Sequence, residues 1–201
     1  MTENSPWRMV GDRFRESAEL LHRFAEEHTE EIYETAMRMS RSIAAGGKLL
    51  ICGNGGSAAD AQHFAAEMIG RLTRERRAIP ALSLTTDTSI LTAVANDYSI
   101  AQVFRRQVEG LGQSEDVLVA ISTSGNSENV VQAVLAAKEK GMQVIGLLGR
   151  DGGRLAPLSD AAIIVPADNP QRIQEVHIAV IHAWCELIEN ELYPNSSKSR
   201  P

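Results

Sequence analysis

Cysteine is scarce in this chain: Cys52 and Cys185 are the only two among 201 residues. They lie far apart in apolar segments and cannot staple a chain of this length, so a reducing cytosol is the expected setting. The N-terminal run Met1 to Arg8 lacks an apolar signal core, and no stretch is long and apolar enough to span a bilayer. Secretion and membrane attachment are therefore not expected. A basic face is missing as well: the formal net charge is −6 and the pI about 5.4, which argues against a dedicated nucleic-acid binder. No internal repeat and no DNA-binding module is visible.

What is present suits one domain with an extension. A chain this long can bury one substantial core, and 43% apolar with 23% charged residues is ordinary for a globular protein. Two helical patterns come first, Phe14, Ala18, Leu21, Ala25 and then Ile32, Ala36, Met39, Ile43, and Gly46-Gly47 stops the second. Residues 1–47 thus read as a helical arm, packed on the domain or on another subunit. From 48 to 193, short apolar strands alternate with helices. Strands are expected at 48–52, 80–84, 116–121, 142–148 and 161–165. Helices are expected from 57 to about 71, across 89–110 with an interruption near Asn96-Asp97, at 127–140, and from Pro170 to about Leu192. Strands apolar almost throughout indicate a doubly wound, five-stranded parallel sheet covered on both faces. Residues 194–201 read as a disordered tail.

The most informative stretch is Val117 to Ser127, Val-Leu-Val-Ala-Ile-Ser-Thr-Ser-Gly-Asn-Ser. An apolar strand runs into a loop with four hydroxyls, Ser122, Thr123, Ser124 and Ser127, and a helix follows at once. Free backbone N–H groups and the positive end of a helix dipole gather at such a turn, making it a natural anion site. The loop has no Lys, so it is not a P-loop; a phosphate monoester fits it better than a nucleoside triphosphate. The plainer alternative is a serine-rich capping turn.

A second loop follows the first strand, Gly53-Asn54-Gly55-Gly56-Ser57-Ala58. Its G-x-G-x-x-A spacing matches a dinucleotide fingerprint, but the acid expected roughly 20 residues on is absent from a strand end. A second backbone cradle, with Gly55 and Gly56 letting a ligand approach closely, is the better reading. Beyond it, His63 and Glu67 stand four apart on one helical face, about one turn below the strand ends. On the final helix, Gln174 and His182 stand eight apart in an otherwise apolar segment. Spacing alone allows both to be hydrogen-bonded core groups. His177 could also reach the site. His22 and His28 read as solvated, and Arg71, Arg74, Arg76 and Arg77 as a solvated helix end, with Arg71 the one that could turn back toward a ligand.

Taken in order, Cys52 to Ser57, His63 with Glu67, Ala95-Asn96-Asp97, Ile121 to Ser127, Gly149 to Gly153 and Arg172 to His177 resemble the phosphoheptose isomerases of the sugar isomerase (SIS) domain family, from about residue 8 to 193. The resemblance implies a SIS fold, a cytoplasmic homotetramer with sites at subunit contacts, and isomerisation of sedoheptulose 7-phosphate to D-glycero-D-manno-heptose 7-phosphate, the first step toward ADP-heptose for lipopolysaccharide. It implies that Ser122, Thr123, Ser124 and Ser127 hold the phosphate and that Asn54, Gly55, Gly56, Glu67, Asn96, Asp97 and Gln174 line the sugar site. It further implies Glu67 as base, His182 as acid, and one zinc ion per subunit on His63, Glu67, Gln174 and His182. Where the family often has an acid just before Arg-Ile-Gln-Glu, this chain has Gln171, with Asp168 nearby but out of register.

The implied chemistry passes through an enediolate: a base takes a C1 proton from the open-chain ketose, and a proton returns at C2. A Glu or His held as a metal ligand throughout is a poor proton carrier, so the roles alternate or the metal only organises the site. A rival class is the non-catalytic SIS adaptor that binds the bacterial replication initiator, which the C-terminal run Cys185 to Pro194 also resembles. Such an adaptor has no need of an acid–base pair.

Overall fold

The computed structural model describes residues 6–194; of the tail expected at 194–201, residues 195–201 lie outside them, as do residues 1–5 of the arm. Five strands form one sheet: β1 (Leu49–Cys52), β2 (Ala81–Ser83), β3 (Val117–Ser122), β4 (Gln143–Gly149) and β5 (Ala161–Val165). All pairs are parallel, in the order β2-β1-β3-β4-β5. The chain steps outward from β1 to β2, then crosses back to β3, so the order reverses between β1 and β3. The helices are α1 (Pro6–Ala44), α2 (Gly56–Ile69), α3 (Thr88–Asp97), α4 (Arg105–Leu111), α5 (Glu128–Glu139) and α6 (Pro170–Leu192). Right-handed crossovers place the helices on opposite faces according to the direction of each step.

The two faces are two cores. Leu49, Ile51, Val117, Val119 and Ile121 point toward α1, α2 and α6. Their neighbours Leu50, Cys52, Leu118 and Ala120 point the other way, toward α4 and α5, with Leu91 and Val94 of α3 at the margin. This is the strand period of two at work on residues that are apolar at every position. Cys52 and Cys185 therefore lie on opposite sides of the sheet. Both are free and buried, and burial pushes the Cys52 thiol up to about 12 and raises that of Cys185 too. Among the described residues, no helix is long and apolar enough to cross a membrane.

The arm is one helix, not two. The apolar positions of its halves are in phase, 14, 18, 21, 25 and then 32, 36, 39, 43, and nothing between them is Gly or Pro. A 39-residue helix results, roughly 58 Å long. The helix packs on α6 and β5, and from Leu20 onward it buries Leu20, Phe24, Ala36 and Met39. The expected core positions do not extend to its start, where Trp7 and Phe14 are 64% and 74% exposed. His22 is solvated as expected, but His28 is half-buried against Phe24. Arg76 departs furthest from a solvated helix end: its side chain is fully buried beside Glu189.

Candidate active site

The hydroxyl loop forms where β3 ends and α5 begins. Ser122 is buried, and its Oγ lies 3.1 Å from Ser127 Oγ and 3.5 Å from Ser124 Oγ. Ser127 is the N-cap of α5 yet makes no side-chain cap bond. Its hydroxyl is thus not committed to the helix backbone, and besides its contact with Ser122 it has capacity for a ligand at the positive end of the helix. The loop is braced from behind: the Leu155 amide donates to Gly125 O, and the Arg154 amide to Asn126 Oδ1. On its other flank, a cleft of about 500 Å³ is lined by Ser124, Asn126, Arg150, Asp151 and Asp168. Asp168, out of register in sequence, is therefore next to the loop. Gln171 is exposed at the start of α6, with its backbone N–H bonded to the Asn169 cap.

The glycine loop joins this cradle to the helix pair. Gly55 adopts φ +55°, while a Cβ on Gly56 would lie 2.4 Å from Gln174 Nε2. The close approach expected at Gly56 is thus to the Gln174 amide of α6. Asn54 exchanges two amide hydrogen bonds of 2.8 Å with Asn129, two residues past Ser127. One connected line of contacts therefore runs from the hydroxyl loop through Asn129, Asn54 and Gly56 to Gln174.

Seven residues further along α2, His63 Nε2 lies 3.1 Å from His182 Nε2 and 3.3 Å from Glu67 Oε1. The sequence placed His63 about one turn below the strand ends; the rise of an α-helix makes it about two, roughly 10 Å from Gly56. Neither His182 nor Gln174 is a core group: His182 is exposed and Gln174 half-buried. At 3.1 Å the two imidazoles share one hydrogen, one donating and the other accepting. The side chains of His63 and Glu67 are 42% and 23% exposed, so water or a ligand reaches the cluster from outside.

His177 does not join this group. It is fully buried, its Nε2 facing Leu148 O at 3.1 Å, and burial pushes its imidazole down to about 4 against that bond. Asn96 and Asp97 are exposed at the end of α3, where the Asn96 amide donates to Asp97; no described hydrogen bond joins them to the loop or the histidines. Thr123 is half-buried in the hydroxyl loop. Arg71 is exposed and pairs with Glu75 instead of turning inward. Sequence reading missed Asp60, whose Oδ2 is buried without a partner. Burial raises its carboxyl to about 6, partly offset by His63. Its position three before His63 was the available signal. Asn129 had no comparable signal, because its partner is 75 residues away.

Two histidines and a carboxylate are ligand types that suit zinc, with the Gln174 carboxamide oxygen as the fourth candidate donor. Bonds of about 2.0–2.1 Å in a tetrahedral site put two nitrogen ligands about 3.3 Å apart, close to the 3.1 Å between His63 and His182. Among the described residues, however, no three His, Cys, Asp or Glu side chains already stand around one point. Closing the set requires side-chain rotation of Glu67, the imidazoles and Gln174, whose amide rests against Gly56.

A parallel sheet with its order reversed between β1 and β3, a hydroxyl loop at the end of β3 and a final helix returning beside α2 define a SIS domain, and the SIS domain family matches residues 13–149. The phosphoheptose isomerase of Helicobacter pylori (strain P12) is 52% identical over 181 residues, covering 90% of this chain and 94% of that protein. That of Nitratidesulfovibrio vulgaris is 47% identical over 201 residues, 100% of this chain and 96% of its own. Among solved structures, a phosphoheptose isomerase from Neisseria gonorrhoeae superposes with a TM-score of 0.88 at 47% identity, covering 92% of this chain and 100% of that one. One from Francisella tularensis gives 0.90 at 36%, covering 92% and 99%. The chain belongs to the phosphoheptose isomerase family of SIS-domain proteins.

Proposed function

We infer that this protein isomerises sedoheptulose 7-phosphate to D-glycero-D-manno-heptose 7-phosphate. The observation that carries the reading is His63, whose Nε2 lies within 3.1 Å of His182 and 3.3 Å of Glu67, some two helical turns from a cradle suited to one monophosphate. An open-chain sugar phosphate carries its reacting carbons and its phosphate at opposite ends, which calls for two such regions held apart. Relatives bearing the isomerase name along nearly the whole chain support the same substrate. They lend nothing to the adaptor reading.

In this reading Ser122, Thr123, Ser124 and Ser127 receive the phosphate, with the α5 N-terminus adding N–H donors. Asn54, Gly55, Gly56, Asn96, Asp97 and Gln174 hold sugar hydroxyls. The Glu67 carboxylate removes a C1 proton while His182 protonates O2, giving the enediol; His182 then takes the O1 proton as Glu67 returns its proton to C2, so both groups regain their starting states. Each such transfer typically contributes about 10²- to 10⁴-fold in rate. His63, in contact with both, sets how the hydrogen between the imidazoles is shared. Zinc held by His63, Glu67, Gln174 and His182 would supply Lewis-acid polarisation of a substrate oxygen.

Assembly into a homotetramer in the cytoplasm belongs to the same proposal. Supporting it, the histidine site is open to solvent, and Tyr98 and Ile100 are 63% and 67% exposed. An apolar groove of about 480 Å³ between α1 and α6, lined by Leu21, Phe24, Ile32, Tyr33, Val176 and Leu187, offers a surface for a second copy. The test is incubation of purified protein with five-, six- and seven-carbon ketose phosphates, with and without chelator, following aldose formation. Selective turnover of the heptulose phosphate is expected. Turnover of none of them overturns the reading.

A further inference from the structure

Besides the packing of Phe64 on Trp184, three contacts between α2 and α6 fall at nearly equal intervals, in the same order along both helices. At the first, Gly56 abuts Gln174. At the second, His63 meets His182. At the third, the C-terminal end of α2 at Gly70 is tied to Glu189 through Arg76. Successive contacts are seven or eight residues apart on each helix, about 10–12 Å of rise. The two helices thus run parallel, and the proposed reacting groups occupy the middle contact, where side chains long enough to move meet.

The third contact is built from charge. The Glu189 side chain is 0% exposed. Its Oε1 accepts from the Leu72 amide at 2.8 Å and Arg76 Nε at 3.0 Å. Its Oε2 accepts from the Thr73 amide at 2.9 Å, the Thr73 hydroxyl at 3.0 Å and the Arg74 amide at 3.1 Å. The loop leaving α2 is wrapped around one carboxylate of α6. Arg76, also 0% exposed in its side chain, turns its remaining donors onto the end of α2 and the loop that follows it. Nη1 bonds Met68 O at 2.8 Å, Gly70 O at 3.3 Å and Arg77 O at 3.0 Å, and Nη2 bonds Glu67 O at 2.8 Å. All three guanidinium nitrogens are engaged, and one holds the backbone of Glu67 itself.

A buried ion pair is a poor source of net stability, since desolvation offsets most of its attraction and apolar replacements often do as well. What a fork of fixed donors supplies is one geometry. We propose that Arg76 and Glu189 are positioning residues that fix α2 against α6, and so place Glu67 and His63 against His182. The kinetic half of the test rests on the isomerase reading; the structural half does not.

Arg76→Lys and Glu189→Gln are the variants, studied well below their melting temperatures. Lysine keeps the charge but cannot reach the carboxylate and the α2 carbonyls together. A misplacement of about 1 Å can cost on the order of 100-fold, so kcat for sedoheptulose 7-phosphate should fall roughly 10- to 100-fold. The loss in kcat should exceed any rise in KM, because the hydroxyl loop lies on β3 and α5 and the Gly56–Gln174 contact lies at the opposite end of α2 and α6 from Glu189. Crystal structures of the variants should show the His63–His182 contact opened beyond hydrogen-bond reach, about 3.5 Å. A lowered melting temperature with wild-type kcat and an unchanged contact overturns the proposal. If Glu189→Gln does not fold, Arg76→Lys alone decides. If the wild type does not turn over the sugar phosphate, the crystal structures still decide, and the function falls separately.

Discussion

The substitution His177→Gln should flatten the acid side of the stability profile. His177 is sealed between α6 and the end of β4, with Nε2–H, the tautomer assigned from the carbonyl it faces, donating to Leu148 O at 3.1 Å. Its Nδ1 is buried with no partner. Protonation would put a charged N–H where nothing accepts it, and burial accordingly pushes the imidazole from 6.5 down to about 4. The unfolded chain takes up this proton first as the pH falls. Stability from His177 is therefore complete above about 6.5 and is lost progressively between 6.5 and 4. The gap between the two values corresponds to about 3 kcal/mol. A glutamine amide in its place would keep a donor for Leu148 O but carry no titration. Urea unfolding of both proteins at pH 7 and pH 4, at equal protein concentration, reads the difference. Wild type should lose about 3 kcal/mol more than the variant, or roughly 6–12 °C in melting temperature for a chain of this size. Parallel profiles from pH 7 to 4 would refute the reasoning.

Two other perturbations address the cradle. Ser124→Ala combined with Ser127→Ala removes two of the hydroxyls that cluster with Ser122, and should raise the KM for the sugar phosphate about tenfold or more with little change in kcat; initial-rate kinetics with an unchanged KM would speak against the anion loop. Gly125→Ala meets both a φ of +65° and a backbone oxygen, Gly152 O, 2.1 Å from the new Cβ. It should cost at least about 1–3 kcal/mol, seen as a lower urea midpoint, and an unaltered midpoint would mean the loop is not held as described.

Much of the fold was legible because its signals are local. Each strand is an apolar run bounded by Gly, Asp or Pro, and its limits fell within about a residue of those observed. The continuity of α1 was equally present in the phase of its apolar residues, but the charged stretch Glu26 to Glu31 masked it. The helices carrying the proposed acid and base were harder. Spacing put His63 with Glu67 and Gln174 with His182, yet brought neither pair to the other; the family resemblance did that, and His63 and His182 do meet at 3.1 Å. Asn96 and Asp97 came from resemblance alone, and their described side-chain hydrogen bond is to each other. The rest depended on partners far apart in sequence. Arg74 to Arg77 reads as a solvated run, and only a carboxylate 113 residues later reveals that Arg76 is buried.

Proton transfer by Glu67 and His182, with the monophosphate held apart at the β3–α5 loop, is the step proposed. Isomerisation of sedoheptulose 7-phosphate in D₂O examines that step directly. Exchange of the carried proton with solvent should place deuterium at C2 of the aldose formed by the wild type. Glu67→Gln should bind the sugar phosphate, keep its fold and form neither product nor label. Normal turnover by Glu67→Gln would contradict the mechanism.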